Sequence, residues 1–321
     1  MRVHLPNSAF LGNIDPFLRS FEGSEPDILE VSANKSWISV HPIVLSFVAA
    51  LGRNVGPSNI RCEDFEARSG HYLERMGLFR VLGIDLGMRI IEHESAGRFV
   101  PLTIIRTNDE LTDLITEIIP LLHLEKDQAG PIKYTISELV RNVLEHSGSP
   151  LGAVVSAQYY KKSNSIRIGI ADTGVGIQAT ISRSHHAPDH LEAIRLALNP
   201  GITGETTRVG GTELNAGAGL FFIKSIAKVN RDFFVIFSGD AMYKLLKVGS
   251  STKRVRLYAD PFDDRHSTEI GLSPFTGTAV GIDISLDTTE AFTGLLDQIR
   301  RTYVKTIKER KKARYRRPRF V

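Results

Sequence analysis

The sequence predicts an α+β chain of two domains, a smaller βα domain followed by a larger α/β domain that ends in a helix and a basic tail. Three observations carry that reading. Short β-rich runs alternate with helical patterns over residues 27–106, two amphipathic helices then precede a pair of alternating strands, and 321 residues exceed one average domain of roughly 150. A hydrophobic content of 42% with 24% charged residues is that of a globular chain, which excludes a wholly disordered, collagenous or coiled-coil protein. The lone Cys62 excludes an internal disulfide and any cysteine-clustered metal site, and a reducing, cytoplasmic setting is expected. The longest uncharged apolar stretch near the start, residues 41–52, is far short of the roughly 20 residues that span a bilayer, so no membrane association is expected.

In the first domain, residues 27–31 and 37–40 read as strands, and Pro42 opens a helix through the apolar run 43–51. Residues 59–62 suit another short strand, followed by a helix carrying Phe65, Tyr72, Leu73 and Met76 that stops at Gly77. His41, His71 and His93 stand alone and read as structural or surface residues. Next, Asn108 is placed to cap a helix bearing Leu111, Leu114, Ile115, Ile118, Ile119 and Leu122 at helical spacing. Residues 125–147 repeat the pattern with Ile132, Ile136, Leu139, Val140 and Val143 inward. Strands follow at 153–160, 166–171, 233–237 and 278–286, helices at 191–198 and 220–229, and a last helix after Asp287, where Glu290 could complete a capping box. Glycine and proline recur through residues 174–219, the mark of a functional lid or of disorder.

Charge is unevenly placed. Eleven of the 40 Lys and Arg fall in residues 300–321 against one acid, Glu309, leaving 29 basic and 35 acidic residues before them. The basic balance therefore belongs to the tail, whose run over residues 308–320 is either a solvated extension or a contact for an acidic partner such as nucleic acid.

Chemistry gathers in four places. Glu138, Asn142 and His146 fall at i, i+4 and i+8, along one stripe of a helix beside its apolar face. Asp172-Thr-Gly-Val-Gly-Ile177 leaves the apolar strand 166–171, with Gly174 and Gly176 allowing close backbone approach to a ligand and the acid able to accept from an amino group. Asn215-Ala-Gly-Ala-Gly-Leu220 precedes a helix, where free backbone N–H groups suit phosphate oxygens. Thr276-Gly-Thr278 enters the closing strand. A Walker loop is excluded, because Glu205 stands where its lysine is required.

In this order and separation, Glu138xxxAsn142, Asp172xGly174xGly176, Gly217xGly219Leu220 and Gly277Thr278 resemble the four boxes of the GHKL ATPase superfamily, which shares the Bergerat ATP-binding fold, over residues 108–286. The resemblance implies a C-terminal α/β sandwich with a mixed sheet covered by helices on one face, spanning residues 107–287 with a lid at about 178–216, between a βα domain at 1–106 and a helix and basic tail at 288–321. It implies ATP and Mg²⁺ as ligands, with Asn142 on the metal, Asp172 on the adenine amino group, and Gly174, Gly176 and Ile177 flooring the base. Gly217, Gly219 and Leu220 would serve the phosphates, Thr278 and His146 would contact nucleotide, and Glu138 would orient or deprotonate the attacking group. A regulatory protein partner is implied and a homodimer left open.

Glu145 stands where histidine kinases of this class carry a basic residue, and the nearest His followed by an acid, His93-Glu94, lies among Gly87, Gly97 and Pro101. The string 138–146 is closer to the anti-sigma-factor serine kinase branch, although the lid is longer than that branch has. The segment 71–83 and the strand order before it also resemble a STAS-type domain over about residues 25–90, and a generic βα packing domain accounts for the same order. Three functions follow: ATP hydrolysis or phosphotransfer through Glu138, a non-catalytic ATP-gated interaction module, or ATP-regulated nucleic-acid binding through the tail.

Overall fold

A computed structural model describes residues 1–23, 27–35, 38–62, 67–84, 99–118, 122, 124–207, 218–249, 255–287 and 292–315. The N-terminal part comprises β1 (Arg2–Leu5), β2 (Ser8–Ala9), α1 (Asp15–Ser20), β3 (Leu29–Ala33), β4 (Ser39–Val40), α2 (Pro42–Val55), β5 (Ile60–Cys62), α3 (Ala67–Arg75) and α4 (Leu78–Leu82). A small parallel sheet, β1-β3-β5, and the short parallel pair β2-β4 organise it. β1 and α1 lie ahead of residue 27, where the sequence suggested no element, because a strand of four residues is too short to show its period. Helix α2 is apolar almost all round and buried from Pro42 to Gly52, as a helix packed on every side must be. His41 caps it, its Nδ1 accepting from the Ile43 amide at 3.1 Å, while Nε2–H donates to Asp283 at 3.2 Å. His41 is thus structural, as expected, and His71 is exposed, while His93 lies outside the described residues.

The larger part begins with β6 (Phe99–Ile105), α5 (Asn108–Asp113), a π-helical turn at Leu114–Ile118, α6 (Lys126–Asn142) and a second π-helical turn at Val143–Ser147. β7 (Ala153–Tyr160), β8 (Ser165–Asp172), α7 (Gly176–Ile181), α8 (His190–Ala197), α9 (Gly219–Val229), β9 (Phe234–Gly239), β10 (Ala241–Leu245), β11 (His266–Glu269), β12 (Phe275–Ser285) and α10 (Phe292–Tyr315) follow. The cap of α5 is Thr107, whose hydroxyl accepts from the Glu110 amide at 3.2 Å, and not Asn108, which is the first helical residue. Of the Asp287–Glu290 capping box expected ahead of α10, Glu290 lies outside the described residues, and Asp287 accepts from the Asn164 carboxamide.

The chain is mixed α/β around one seven-stranded sheet in the order β11-β10-β9-β12-β8-β7-β6. Every neighbouring pair in it is antiparallel, which corrects the expected mixed sheet; among the described residues parallel pairing is confined to the N-terminal strands. β6 is the edge strand, so a boundary at 106 falls behind the first strand of the large sheet.

Helices cover both faces of this sheet, not one. Period-two alternation explains how: Ile166, Ile168, Ile170, Phe234, Ile236, Val280 and Ile282 join the core beneath α6, α7 and α9, while Ala171, Val235, Phe237 and Ala279 join the core shared with α2. Small residues let α2 lie flush on β8, since a Cβ at Gly169 would fall 2.1 Å from the Ile43 nitrogen. Ser46 then donates to the Gly169 carbonyl at 3.0 Å across that contact. α10 packs Leu295 and Ile299 on Phe221, Phe222 and Ile226 of α9. No helix among the described residues is long and apolar enough to cross a membrane.

Candidate nucleotide site

A cavity of about 410 Å³ lies between α6 with its π-helical turn, the ends of β8, β9 and β12, α7, and the N-terminus of α9, within the 300–1,000 Å³ usual for small-molecule sites. Glu138 and Asn142 reach it from successive turns of α6, and the π-helical turn that follows brings His146 and Ser147 to the same wall. The Asn142 Nδ2 is buried without a hydrogen-bond partner among the described residues. Gly219 closes on both side chains, because a Cβ there would sit 2.9 Å from Glu138 Oε2 and 3.6 Å from Asn142 Nδ2. Among the described residues no side chain caps α9 at Ala218, and the first turn of the helix lies beside the cavity, where backbone N–H groups can act as donors.

Asp172, the last residue of β8, is buried at 2% exposure. One carboxylate oxygen accepts from the Gly174 amide at 2.7 Å. Burial pushes its carboxyl up to about 6 and that amide offsets the effect only in part. Ile170, Ile236 and Val280 give the cavity around it an apolar floor.

Three glycines hold the loop in place. Gly174 is turned to Ser147 instead of the cavity: a Cβ would meet the Ser147 carbonyl oxygen at 2.2 Å, and the neighbouring Val175 amide donates to that oxygen at 2.8 Å. Gly176 (φ +78°) and Gly277 (φ +136°) take backbone conformations that favour glycine. Gly277 forms the irregularity that lets β12 pair Thr278 with Asp172 on one side and Ser238 on the other. Ser238, which carries no sequence signal, knots these pieces, accepting from the Ile177 amide at 3.0 Å and donating to the Gly277 carbonyl at 2.6 Å.

The segment after α8 forms the fourth wall. Thr203 and Gly204 line it, with Gly204 so close to the Thr180 carbonyl that a Cβ would be 2.2 Å away. His146 Nδ1 is 3.6 Å from Glu205 of this segment and Nε2 is 3.9 Å from Glu145. From α10, Arg310 donates to the Pro200 carbonyl at 2.8 Å and to the Asn199 carboxamide oxygen. Of the sequence-derived site residues, Glu138, Asn142, His146, Asp172, Gly176, Ile177, Gly219, Leu220 and Thr278 thus meet at one cavity. Gly217 lies outside the described residues. Tyr134 and Arg141 also line the cavity, and the same helical stripe could have found them, at i−4 and i+3 from Glu138.

Glu138 is three-quarters buried, with Arg141 Nη1 3.8 Å away. Burial raises its pKa, Arg141 lowers it in part, and Glu145 adds a smaller upward push. No protein-family model matches the chain, and no curated protein matches it at a significant level.

Proposed function

We propose that this cavity binds ATP with Mg²⁺ in the manner of the GHKL class, and that Glu138 orients the attacking group for hydrolysis or γ-phosphate transfer in a regulatory role. One observation carries the reading: a buried carboxylate, Asp172, set in an apolar cavity, where burial raises its pKa and no cation is among the causes of the shift. A flat ring with an exocyclic amino group answers both features, stacking on Ile170, Ile236 and Val280 while donating to the acid. The phosphates would then reach the α9 N-terminus and Asn142, at the end of the cavity that holds Glu138.

The residues present fit Mg²⁺ bound mainly by phosphate and water. Asn142 offers one carboxamide oxygen, and no group of three or more His, Cys, Asp or Glu gathers among the described residues. Bound there, the metal would neutralise charge on the phosphates. Glu138, with its pKa raised, would accept the proton of water or of a protein hydroxyl as that oxygen attacks the γ-phosphorus and the bond to the β-phosphate oxygen breaks.

Turnover tests this directly. Glu138→Gln should retain ATP binding and lose about 10²–10⁴-fold in rate. Absence of both hydrolysis and phosphotransfer by the unaltered protein, with ATP still bound, would remove the catalytic part. A second reading, a non-catalytic ATP-gated module, is favoured by the contacts of residues 199–207 with α7 and α10. Protection of residues 178–216 from protease by a non-hydrolysable analogue to the same degree as by ATP would support it.

A further inference from the structure

We propose that the outward face of α10 is a docking surface for the phosphate backbone of nucleic acid. The helix's orientation is fixed by its inner face: Leu295, Ile299 and Ile307 are buried, and Tyr303 meets the rings of Phe221 and Phe222 at 6.4 and 6.1 Å. Its far end is tied down by Arg310 on Asn199 and Pro200. Arg300, Arg301, Lys305, Lys308, Lys311 and Lys312 are consequently held outward, all exposed.

The two acids beside them, Asp297 and Glu309, lie 3.6 Å from Arg300 and 3.9 Å from Lys305. Arg301, Lys308 and Lys312 have no ion pair among the described residues. Residues 301, 305, 308 and 312 form one row about 16 Å long at 1.5 Å per residue. The sequence continues with Arg314, Arg316, Arg317 and Arg319 and no further acid.

A single-signed row of this length matches a polyanion, which needs no register and presents about one charge per 1.7 Å of duplex. Val304, at 42% exposure, is the large apolar side chain exposed on the described helix. Among the described residues the face therefore lacks both the aromatic anchors of a protein interface and the apolar stripe of a membrane-surface helix. With Tyr315 and Phe320 the tail has too few aromatics for base stacking, so the contact is phosphate-directed and independent of base sequence.

The test titrates the full chain against a short labelled DNA duplex and a single-stranded RNA of equal length. About four engaged cations predict binding to at least one of them that weakens about 100-fold between ~50 and ~200 mM salt. The triple variant Arg301→Glu, Lys308→Glu, Lys312→Glu should melt as the unaltered protein does and lower the salt slope by about three. If it lost its cooperative melt, Lys308→Ala with Lys312→Ala would supply the same comparison. No binding to either probe at the lower salt, binding unchanged in the variants, or equal binding to polyglutamate would overturn the proposal. None of these outcomes depends on the nucleotide cavity.

Discussion

Asp172 is a buried carboxylate at the end of β8, facing the apolar floor of the cavity. Its folded pKa of about 6 lies above the ordinary 3.8, so its contribution to stability is fully present below about pH 4 and is lost as pH rises through about 6. At pH 7 the ionised, buried carboxylate costs at most about 3 kcal/mol. Asp172→Asn keeps an acceptor for the Gly174 amide and removes that charge. Its unliganded melting temperature should therefore exceed that of the parent at pH 7, with the gain vanishing near pH 4. Equal stability of the two proteins at pH 7 would contradict an uncompensated buried carboxylate. At Asn142 the expectation is different: Asn142→Ala should weaken Mg²⁺-dependent ATP binding while adenosine binding survives, and calorimetry with and without Mg²⁺ separates the two. For Glu138, whose pKa burial raises, the rate should fall as pH drops through that raised value, because only the ionised form accepts a proton.

Among elements, the helix α6 and the loop after β8 were legible because their chemistry-bearing residues sit at short, periodic spacings. The knot that joins them was not: Ser238 and the contact between Gly174 and Ser147 depend on strands distant in sequence coming together. Gly174→Ala should cost roughly 1–3 kcal/mol, since the added methyl strikes a carbonyl oxygen that the Val175 amide already uses. Denaturant unfolding measures it. β10 escaped the sequence because Lys244 interrupts its apolar run, and the fold accommodates that lysine by pairing it with Asp15 of α1. β11 is polar and lies at the sheet edge, where alternation fades. The inward apolar packing of α10 reaches Ile307, as its helical spacing implies, and the helix itself runs on to Tyr315, with Arg310 meeting acceptors on Asn199 and Pro200. Arg310→Ala should accordingly speed proteolytic cleavage near residues 199–207; an unchanged cleavage rate would mean that the contact does not restrain that segment.

Over the whole molecule, the mixed α/β character of the chain was readable, but the core that the N-terminal elements share with the large sheet was not. The residues that mediate it are small: Ser156, Gly169 and Gly281 on the sheet carry no hydrophobic signal, yet they admit α2 to its second face. Arg167 adds to the join, stacked between Phe10 and Tyr160 at 4.3 and 3.8 Å. A fragment of residues 107–287 would expose Val154, Ala171, Val235, Phe237 and Ala279, so it should lose the cooperative unfolding of the full chain. The assembled cavity is the centre of the functional reading, and calorimetric titration of ATP with Mg²⁺ into the full chain and into Asp172→Asn tests it most directly. The unaltered protein should bind saturably, and the variant should lose about ten- to a hundredfold in affinity. Absence of ATP binding, or equal affinity in the two proteins, would contradict it.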